Sequence, residues 1–190
     1  MGDEPDAPDR TDPFAHPDLA AAGAAMRAAW RADQEAAARD AHEAHRRRLT
    51  LTDRLHLHLH RGDRLAVVVC GTQRFTGTLA EVGPDLIALR TPYGGRVDVQ
   101  RVPSVPLWFE VVERAPAGGH RGDGAAGGRF HHALARREQD AAVTLGTLHA
   151  PDGIDGALAV GADHVVLVAP GGAETVVPID QVAWVRARRP

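Results

Sequence analysis

The side chains of this chain that are best suited to recognise an anionic partner are its arginines, although a composition bias also explains their number. All 22 basic residues are Arg, and several of them cluster near the ends of predicted helices and strands. A planar guanidinium donates paired hydrogen bonds to phosphate or carboxylate oxygens, so these clusters predict contacts with a nucleic acid or with an acidic partner. For the run at 46–48, cations that stabilise a helix C-terminus are the alternative interpretation. The candidate contact residues are Arg46, Arg47, Arg48, Arg74, Arg90, Arg96, Arg186, Arg188 and Arg189.

Three histidines, His56, His58 and His60, alternate with leucines and have a spacing that suits a metal ion. On a strand all three would share a face, and on a helix His56 and His60 would lie one turn apart. No cysteine or acidic cluster accompanies them, so we expect exposed histidines and no metal site.

Side chains for covalent catalysis are scarce. The chain has one serine, one cysteine and one tyrosine, which are Ser104, Cys70 and Tyr93. Cys70 lies in a predicted strand beside Gly71 and has no evident histidine partner, which favours a small buried apolar side chain over a nucleophile. No glycine-rich segment joins a strand to a helix as a phosphate-binding loop does. We therefore predict that the protein is not an enzyme and has no catalytic residue, cofactor or small-molecule substrate.

Composition and charge predict a cytoplasmic protein. Of the 190 residues 44% are hydrophobic, which suffices for a core, and only 4% are aromatic, so that core must be mainly aliphatic. A single cysteine excludes an internal disulfide, and no apolar run approaches the roughly 20 residues of a membrane span. The net charge is −3, and much of the negative charge lies in residues 1–17, an acidic tail that we expect to be disordered.

One sequence pattern occurs twice and organises the remainder of the chain. Residues 77–90 begin with Gly77, continue through a Val-Gly-Pro-Asp turn and end in a run of aliphatic residues. Residues 156–168 repeat this order with Gly156 and a Val-Gly-Ala-Asp turn, and this copy is one residue shorter. Each copy is typical of a strand, a turn and a second strand, so the repeat predicts two similar β-domains.

The predicted domain organisation has five parts. After the tail at 1–17 come an Ala-rich helix at 18–48, a first module at 49–113, a flexible linker at 114–128 and a second module at 129–190. The Ala-rich helix has only a weak apolar stripe, which fits a partner helix, a place on a barrel or a solvated arm. The stretch at the start of the first module fits a strand or a helix. Its leucines at i, i+4 and i+8, with Thr52 as a cap and Gly62 at the end, favour the helix.

Each module is predicted to contain a short helix and five strands. The predicted fold class is therefore mainly β with helices, in which the Ala-rich helix precedes two tandem helix-plus-five-strand small barrels. Trp108 and Trp184 occupy equivalent positions, where we expect each to close the core of its barrel. The Gly-rich linker favours barrels that move independently, whereas the apolar face of each short helix favours docking. The predicted strands lie at 64–70, 75–79, 86–90, 96–99, 107–112, 141–145, 156–160, 164–169, 174–178 and 182–187.

This layout resembles the Sm-like fold of Sm, LSm and bacterial Hfq proteins, with barrels of the Sm-like or SH3-like kind. It is also similar to proteins of high-GC Gram-positive bacteria with the same tandem plan. The resemblance implies RNA binding and ring assembly. The chain has no Asn for the base-reading position of the Sm motif and no Lys-His signature of Hfq, so no RNA-binding residue is carried over. The resemblance rests on strand 65–70, on Phe75-Thr-Gly-Thr-Leu79, on Asp85-Leu-Ile-Ala-Leu89, on Val102 and Val105, and on Gly156, Asp163 and Val182 in the second copy.

Two functions fit these observations. The first is a non-enzymatic interaction or scaffold module that binds a protein partner or associates with itself, because small barrels leave strand edges and grooves for such contacts. The alternative is an Sm-like RNA-binding or nucleic-acid-associated regulatory protein that uses the arginine clusters, and its RNA affinity would depend steeply on salt.

Overall fold

The computed structural model describes residues 17–116 and 125–188. The chain divides into two compact units, residues 1–49 and residues 50–190. The predicted acidic tail lies outside the described residues except at its last position, and so does the middle of the predicted linker. Apart from Leu49, both predicted modules fall within the second unit.

The first unit contains one long helix, α1, over Pro17–Arg48. Its many alanines favour a helix, and Asp18 in the first turn with His45 to Arg48 in the last turn oppose the partial charges of the helix ends. Leu19, Met26 and Trp30 lie exposed along it. Within the described ranges, no helix has both the length and the apolar character that crossing a membrane requires.

The second unit begins with the short helix α2, Leu51–Arg61, which confirms the helical interpretation of this stretch. The cap is Thr50 and not Thr52 as predicted, because Thr50 and Asp53 exchange hydrogen bonds in a capping box. Gly62 ends the helix with a left-handed backbone, φ 73°, as predicted. Leu55 and Leu59 are fully buried, so this helix packs on the sheet through its leucine face.

Apart from a two-residue strand at Ala125–Ala126, which was not predicted, the remaining strands and helices follow the predicted order. Strand β2 runs past both predicted ends, and Cys70 lies in the turn after β1, at φ 52°, and not in the strand. The first half of the unit, residues 50–113, holds α2 and β1 to β5, and the second half, residues 129–188, holds α3 and β7 to β11. The bounds are β1 Arg64–Val69, β2 Gln73–Val82, β3 Leu86–Arg90, β4 Arg96–Gln100, β5 Leu107–Glu113, β6 Ala125–Ala126, α3 Phe130–Arg137, β7 Val143–Thr147, β8 Ile154–Val160, β9 His164–Val168, β10 Glu174–Pro178, a 3-10 turn Ile179–Gln181 and β11 Val182–Ala187.

The coarse class, mainly β with helices, is confirmed, but the strands do not close into two separate barrels. They form one sheet with the order β10-β9-β8-β7-β11-β4-β3-β2-β1-β5, and β6 pairs with β2 off this path. In each half the last strand folds back onto the first strand of that half, which leaves the fourth strand with an open side. The open side of β4 is taken by β11, so the two halves dock through an antiparallel pairing that we call the internal junction.

The two halves also exchange core residues across this junction. Ala183 and Trp184 of β11 belong to the hydrophobic core of the first half, and the Trp184 ring lies 5.0 Å from that of Phe75. Leu86 of β3 in turn belongs to the core of the second half. Strands β2 and β11 stand three places apart in the sheet, about 14 Å if the sheet were flat, so the sheet must bend to bring these rings together.

A buried ion-pair network ties α3 to the first half. Asp98, which is 1% exposed, accepts hydrogen bonds from Arg96 at 2.6 Å and from Arg137 of α3 at 2.9 Å. Glu81 pairs with Arg96 and with Arg136 and accepts a hydrogen bond from the Gly128 N–H. Burial raises the pKa of Glu81, but these cationic and amide donors outweigh it and hold the pKa below its usual range. The carboxylate therefore stabilises the docked arrangement in its ionised form.

Candidate functional site

The internal junction forms a groove of about 840 Å³ that gathers arginines from both halves. We call it the arginine groove, and it is lined by Arg64, Arg74 and Arg96 of the first half and by Arg186 and Arg188 of the second. Four of these were predicted contact residues, although they are spread over more than 110 positions of the sequence. Polar and aromatic residues complete the lining, and they include Thr76, Thr91, Tyr93, Thr144, Asp152 and Asp155.

Arg186 has no carboxylate partner among the described residues. Its guanidinium carbon lies 5.5 Å from the centre of the Trp184 ring, a cation–π contact that leaves its N–H donors available. Arg188 is half-exposed and lies 3.4 Å from Asp155, which also accepts a hydrogen bond from the Thr144 hydroxyl. Arg186 of β11 and Arg188, which directly follows this strand, are therefore positioned by the second half and open to the groove.

The arginines of the first half are held by carboxylates to different degrees. Arg74 pairs with Glu110 at 2.8 Å, and each side chain is about half exposed, so the pair is weak and can exchange. Arg64 lies 3.9 Å from Glu113, and its buried Nε has no hydrogen-bond partner among the described residues. Arg96 is committed to the Glu81 and Asp98 network described above.

The other predicted contact residues lie elsewhere. Arg90 is exposed at the end of β3 and does not line the groove. Arg46, Arg47 and Arg48 lie exposed in the last turn of α1, where Arg47 pairs with Glu43, in agreement with the helix-terminus interpretation. Arg189 lies outside the described residues.

Sequence reasoning missed several residues of the groove. Arg64 stands alone at the start of β1, and Thr144, Asp152 and Asp155 belong to the β7–β8 hairpin of the second half, where no motif singled them out. Tyr93 was noted only as the single tyrosine of the chain, and it is 83% exposed in the β3–β4 turn. The missing signal is the strand pairing itself, because only the docking of β11 on β4 brings this hairpin toward the first half.

Strand registers show which positions of the two halves correspond. Leu65 pairs with Gly77 in the first half, and Val143 pairs with Gly156 in the second, so β1 corresponds to β7. From this reference Val68 corresponds to Gly146. Val68 pairs with Trp108 in β5, and Gly146 pairs with Trp184 in β11. The same comparison through β3 and β9 matches Arg96, Val97, Asp98 and Val99 with Glu174, Thr175, Val176 and Val177.

The two equivalent tryptophans have opposite environments. Trp184 is 1% exposed, which confirms a buried position, but it belongs to the core of the first half and not, as predicted, to that of its own module. Its ring covers Gly146, where a Cβ would overlap the indole. Trp108 is 50% exposed, so the prediction that it closes a core is wrong. Val68 stands where the second half has glycine and leaves no space for a similar fold of the ring. Trp108 instead lies on β5, one of the two outer strands of the sheet.

The histidines predicted to be exposed divide into two groups. His56 and His60 stack with ring centroids 6.3 Å apart, whereas His58 is mostly buried and lies 2.8 Å from Asp63. Burial raises the pKa of Asp63, but hydrogen bonds from His58 and from the Ala115 amide outweigh it, so the pKa lies below its usual range.

Burial raises the pKa of the Cys70 thiol, which disfavours the thiolate. Among the described residues, no group of three or more His, Cys, Asp or Glu side chains is arranged to hold a metal ion.

Two features of the second unit are therefore candidates for function. One is the arginine groove, and the other is the pair of outer strands of the sheet, β5 and β10. A comparison of the chain with protein-family models, with curated proteins and with solved structures found no match.

Proposed function

We propose that the protein is a non-enzymatic scaffold module that associates with itself, head to tail, through its two open sheet edges. The observation that carries the proposal is the half-exposed Trp108 on the outer strand β5. Its counterpart Trp184 is buried where the internal junction pairs a fifth strand with a fourth strand. The internal junction is therefore one example of a contact between a fifth and a fourth strand. The same two kinds of surface lie at the ends of the sheet, where no other described strand pairs with them.

The unoccupied surfaces are the fifth strand of the first half, β5, and the fourth strand of the second half, β10. Both carry exposed apolar side chains that an isolated edge strand does not favour. Trp108, Val111 and Val112 are exposed on β5, and Val176 is 62% exposed on β10. A second copy of the chain covers both sets at once if β5 of one copy pairs with β10 of the next.

On both outer strands the backbone N–H and C=O groups that point outward belong to the residues that a pairing like that of the internal junction requires. Ala169 donates to Ala173 to close the β9–β10 hairpin, and antiparallel pairs alternate from there, so the N–H and C=O of Val176 point away from β9. Cys70 donates to Pro106 in the same way, so the groups of Phe109 point away from β1. In the internal junction the corresponding residues, Asp98 and Val185, are paired directly.

Such a contact joins different surfaces of identical chains. Repetition of a head-to-tail contact gives a closed ring when the rotation per copy divides a full turn and an open filament when it does not. Either assembly repeats the same surface at regular intervals, which is the property of a scaffold.

Complementary edge variants test this proposal. Trp108→Glu places a charge on β5, and Val176→Pro removes an outward N–H from β10 without removing a hydrogen bond to β9. Sedimentation velocity of the wild-type chain should show mass that grows with concentration, and each variant alone should remain a monomer of 20.2 kDa. An equimolar mixture should form a one-to-one dimer and nothing larger, because each variant retains the edge that the other has lost.

Tyr93→Ala is the matched control, since Tyr93 is an exposed aromatic residue outside both edges. It should assemble like the wild-type chain. A wild-type chain that stays monomeric at every concentration, or variants that fail to dimerise when mixed although thermal unfolding shows that they fold, would refute the head-to-tail contact.

RNA binding in the manner of the Sm-like resemblance is the second candidate function. The observation that favours it is the convergence of four predicted contact arginines in one groove. Fluorescence anisotropy of a mixed-sequence single-stranded RNA, at low and then moderate salt, tests this candidate. Binding that weakens steeply with salt supports it, and no binding at low salt rejects it.

A further inference from the structure

The strongest unexplained feature is the concentration of arginines in the arginine groove. The corresponding positions at the open ends of the sheet do not repeat it. By strand register Arg186 corresponds to Glu110, and Arg96 corresponds to Glu174. The charge at these positions is thus opposite in the two halves. Neither the fold nor an overall preference for arginine explains why the cations gather at the internal junction and not at the corresponding positions at the ends of the sheet.

The carboxylates around the groove limit what it can hold. Glu110 and Glu113 of β5 accompany Arg74 and Arg64 on one side, and Asp152 and Asp155 of the β7–β8 hairpin belong to the lining on the other. A nucleic-acid strand needs a basic track that continues beyond a few residues. The groove is instead a short basic region bracketed by acidic residues, which fits a compact anion better than a polymer.

The available donors point to phosphate. Arg186 has no carboxylate partner among the described residues, and Arg74 is held only by an exchangeable surface pair. Guanidinium groups match the geometry of phosphate oxygens and form strong charge-assisted hydrogen bonds with them. A volume of about 840 Å³ lies in the usual range for small-molecule pockets and is large enough for a nucleotide.

From these observations we infer that the arginine groove binds one compact polyphosphate anion per chain, of the class of a nucleoside di- or triphosphate. Arg186 and Arg74 are the principal contacts, from opposite halves of the unit. None of the arginines of the groove lies on β5 or β10, the strands of the proposed self-association, although Arg64 and Arg74 pair with Glu113 and Glu110 of β5. The site would also make the docked arrangement of the two halves sensitive to the ligand, because the anion bridges them.

Isothermal titration calorimetry at low salt with inorganic triphosphate and with ATP tests the inference. The wild-type chain should bind one equivalent of each. Arg186→Gln and Arg74→Gln should each weaken binding about tenfold or more, since each removes a charge-assisted contact. Arg90→Gln removes the same charge from an exposed position outside the groove and should change the affinity less than about twofold.

Three results would overturn the inference. The first is the absence of saturable binding of either probe to the wild-type chain. The second is equal weakening by all three arginine variants, which would show a general charge effect. The third is a 20-nucleotide single-stranded RNA without terminal phosphate that binds more tightly than ATP and loses affinity in Arg186→Gln, which would assign the groove to a strand. Arg74 is half exposed, so its variant keeps the test valid even if Arg186→Gln disturbs the packing of Trp184.

Discussion

Substitution of Gly146 by alanine tests the packing that joins the two halves of the second unit. A Cβ at this position would overlap the Nε1 and Cε2 atoms of Trp184, and the backbone of β7 cannot move away because it pairs on both sides. The indole must therefore leave the core of the first half. It would lose its contact with Phe75 and its 3.2 Å hydrogen bond to the Pro151 carbonyl.

The expected loss of stability follows from the contacts and the hydrogen bond that the Trp184 ring would lose. Removal of a buried aromatic side chain from a core destabilises a protein by about 3–5 kcal/mol, and the lost hydrogen bond adds about 1 kcal/mol. The sum of about 4–6 kcal/mol is a large share of the roughly 5–15 kcal/mol that stabilises a typical domain. We therefore expect Gly146→Ala to lower the urea midpoint sharply or to separate the halves while each retains its strands.

Tryptophan fluorescence reports this change directly. In a Trp30→Phe, Trp108→Phe background, Trp184 is the single tryptophan, and with excitation selective for tryptophan its emission should shift to longer wavelength in Gly146→Ala. Gly171→Ala is the matched control, because a Cβ there meets no atom within 4 Å and the stability should change by less than about 0.5 kcal/mol. A Gly146→Ala chain with an unchanged urea midpoint and unshifted emission would refute the packing account.

Three further predictions concern charge and exposure. Asp98→Ala should destabilise the fold by about 3–5 kcal/mol in urea unfolding because it removes the buried carboxylate that pairs with both Arg96 and Arg137, whereas Glu110→Ala, which breaks a surface pair, should change stability by less than about 1 kcal/mol; equal effects would contradict the network. The pKa values of Asp63 and Glu81 are lowered, so their stabilisation is present above their unfolded pKa of about 4 and should be lost as pH falls below it; a urea midpoint that is constant from pH 6 to pH 3 would contradict this. Trp108→Ala should lower the stability of the dilute chain by less than about 1.5 kcal/mol, because the ring is already half exposed; a loss as large as that of a buried tryptophan would show that the ring is packed in solution.

Local structure was largely readable from the sequence, because local rules determine it. The leucine spacing and Gly62 of α2, and the Gly-x-Asp turns of both repeats, act over a few residues and predicted elements that the structure confirms. The cap was misplaced by two residues because Thr50 and Thr52 both satisfy the simple rule. Only the side-chain exchange with Asp53 distinguishes them.

The pairing of β11 with β4 was not readable, and the arginine groove depends on it. The two strands are separated by more than 80 residues, and their alternation of side chains is equally compatible with a barrel in each half. Whether β4 pairs with β5 of its own half or with β11 of the other half depends on which strand packs better against it. Gly146 allows Trp184 to fold inward toward Phe75, whereas Val68 denies that place to Trp108. The presence of glycine at position 146 thus decides that Trp184 is buried whereas Trp108 is exposed. The hydrophobic periodicity of the sequence does not show this difference.

Hydrogen exchange of the two outer strands is the measurement that tests the central claim most directly. The outward amides of Phe109 and Val176 have no partner strand within residues 17–116 and 125–188, so peptides covering 107–113 and 174–177 should exchange fast in dilute protein. The account predicts that both peptides gain protection together as concentration rises, and that Trp108→Glu abolishes the gain in both. Protection that does not depend on concentration, or that appears in one edge without the other, would contradict head-to-tail association through β5 and β10.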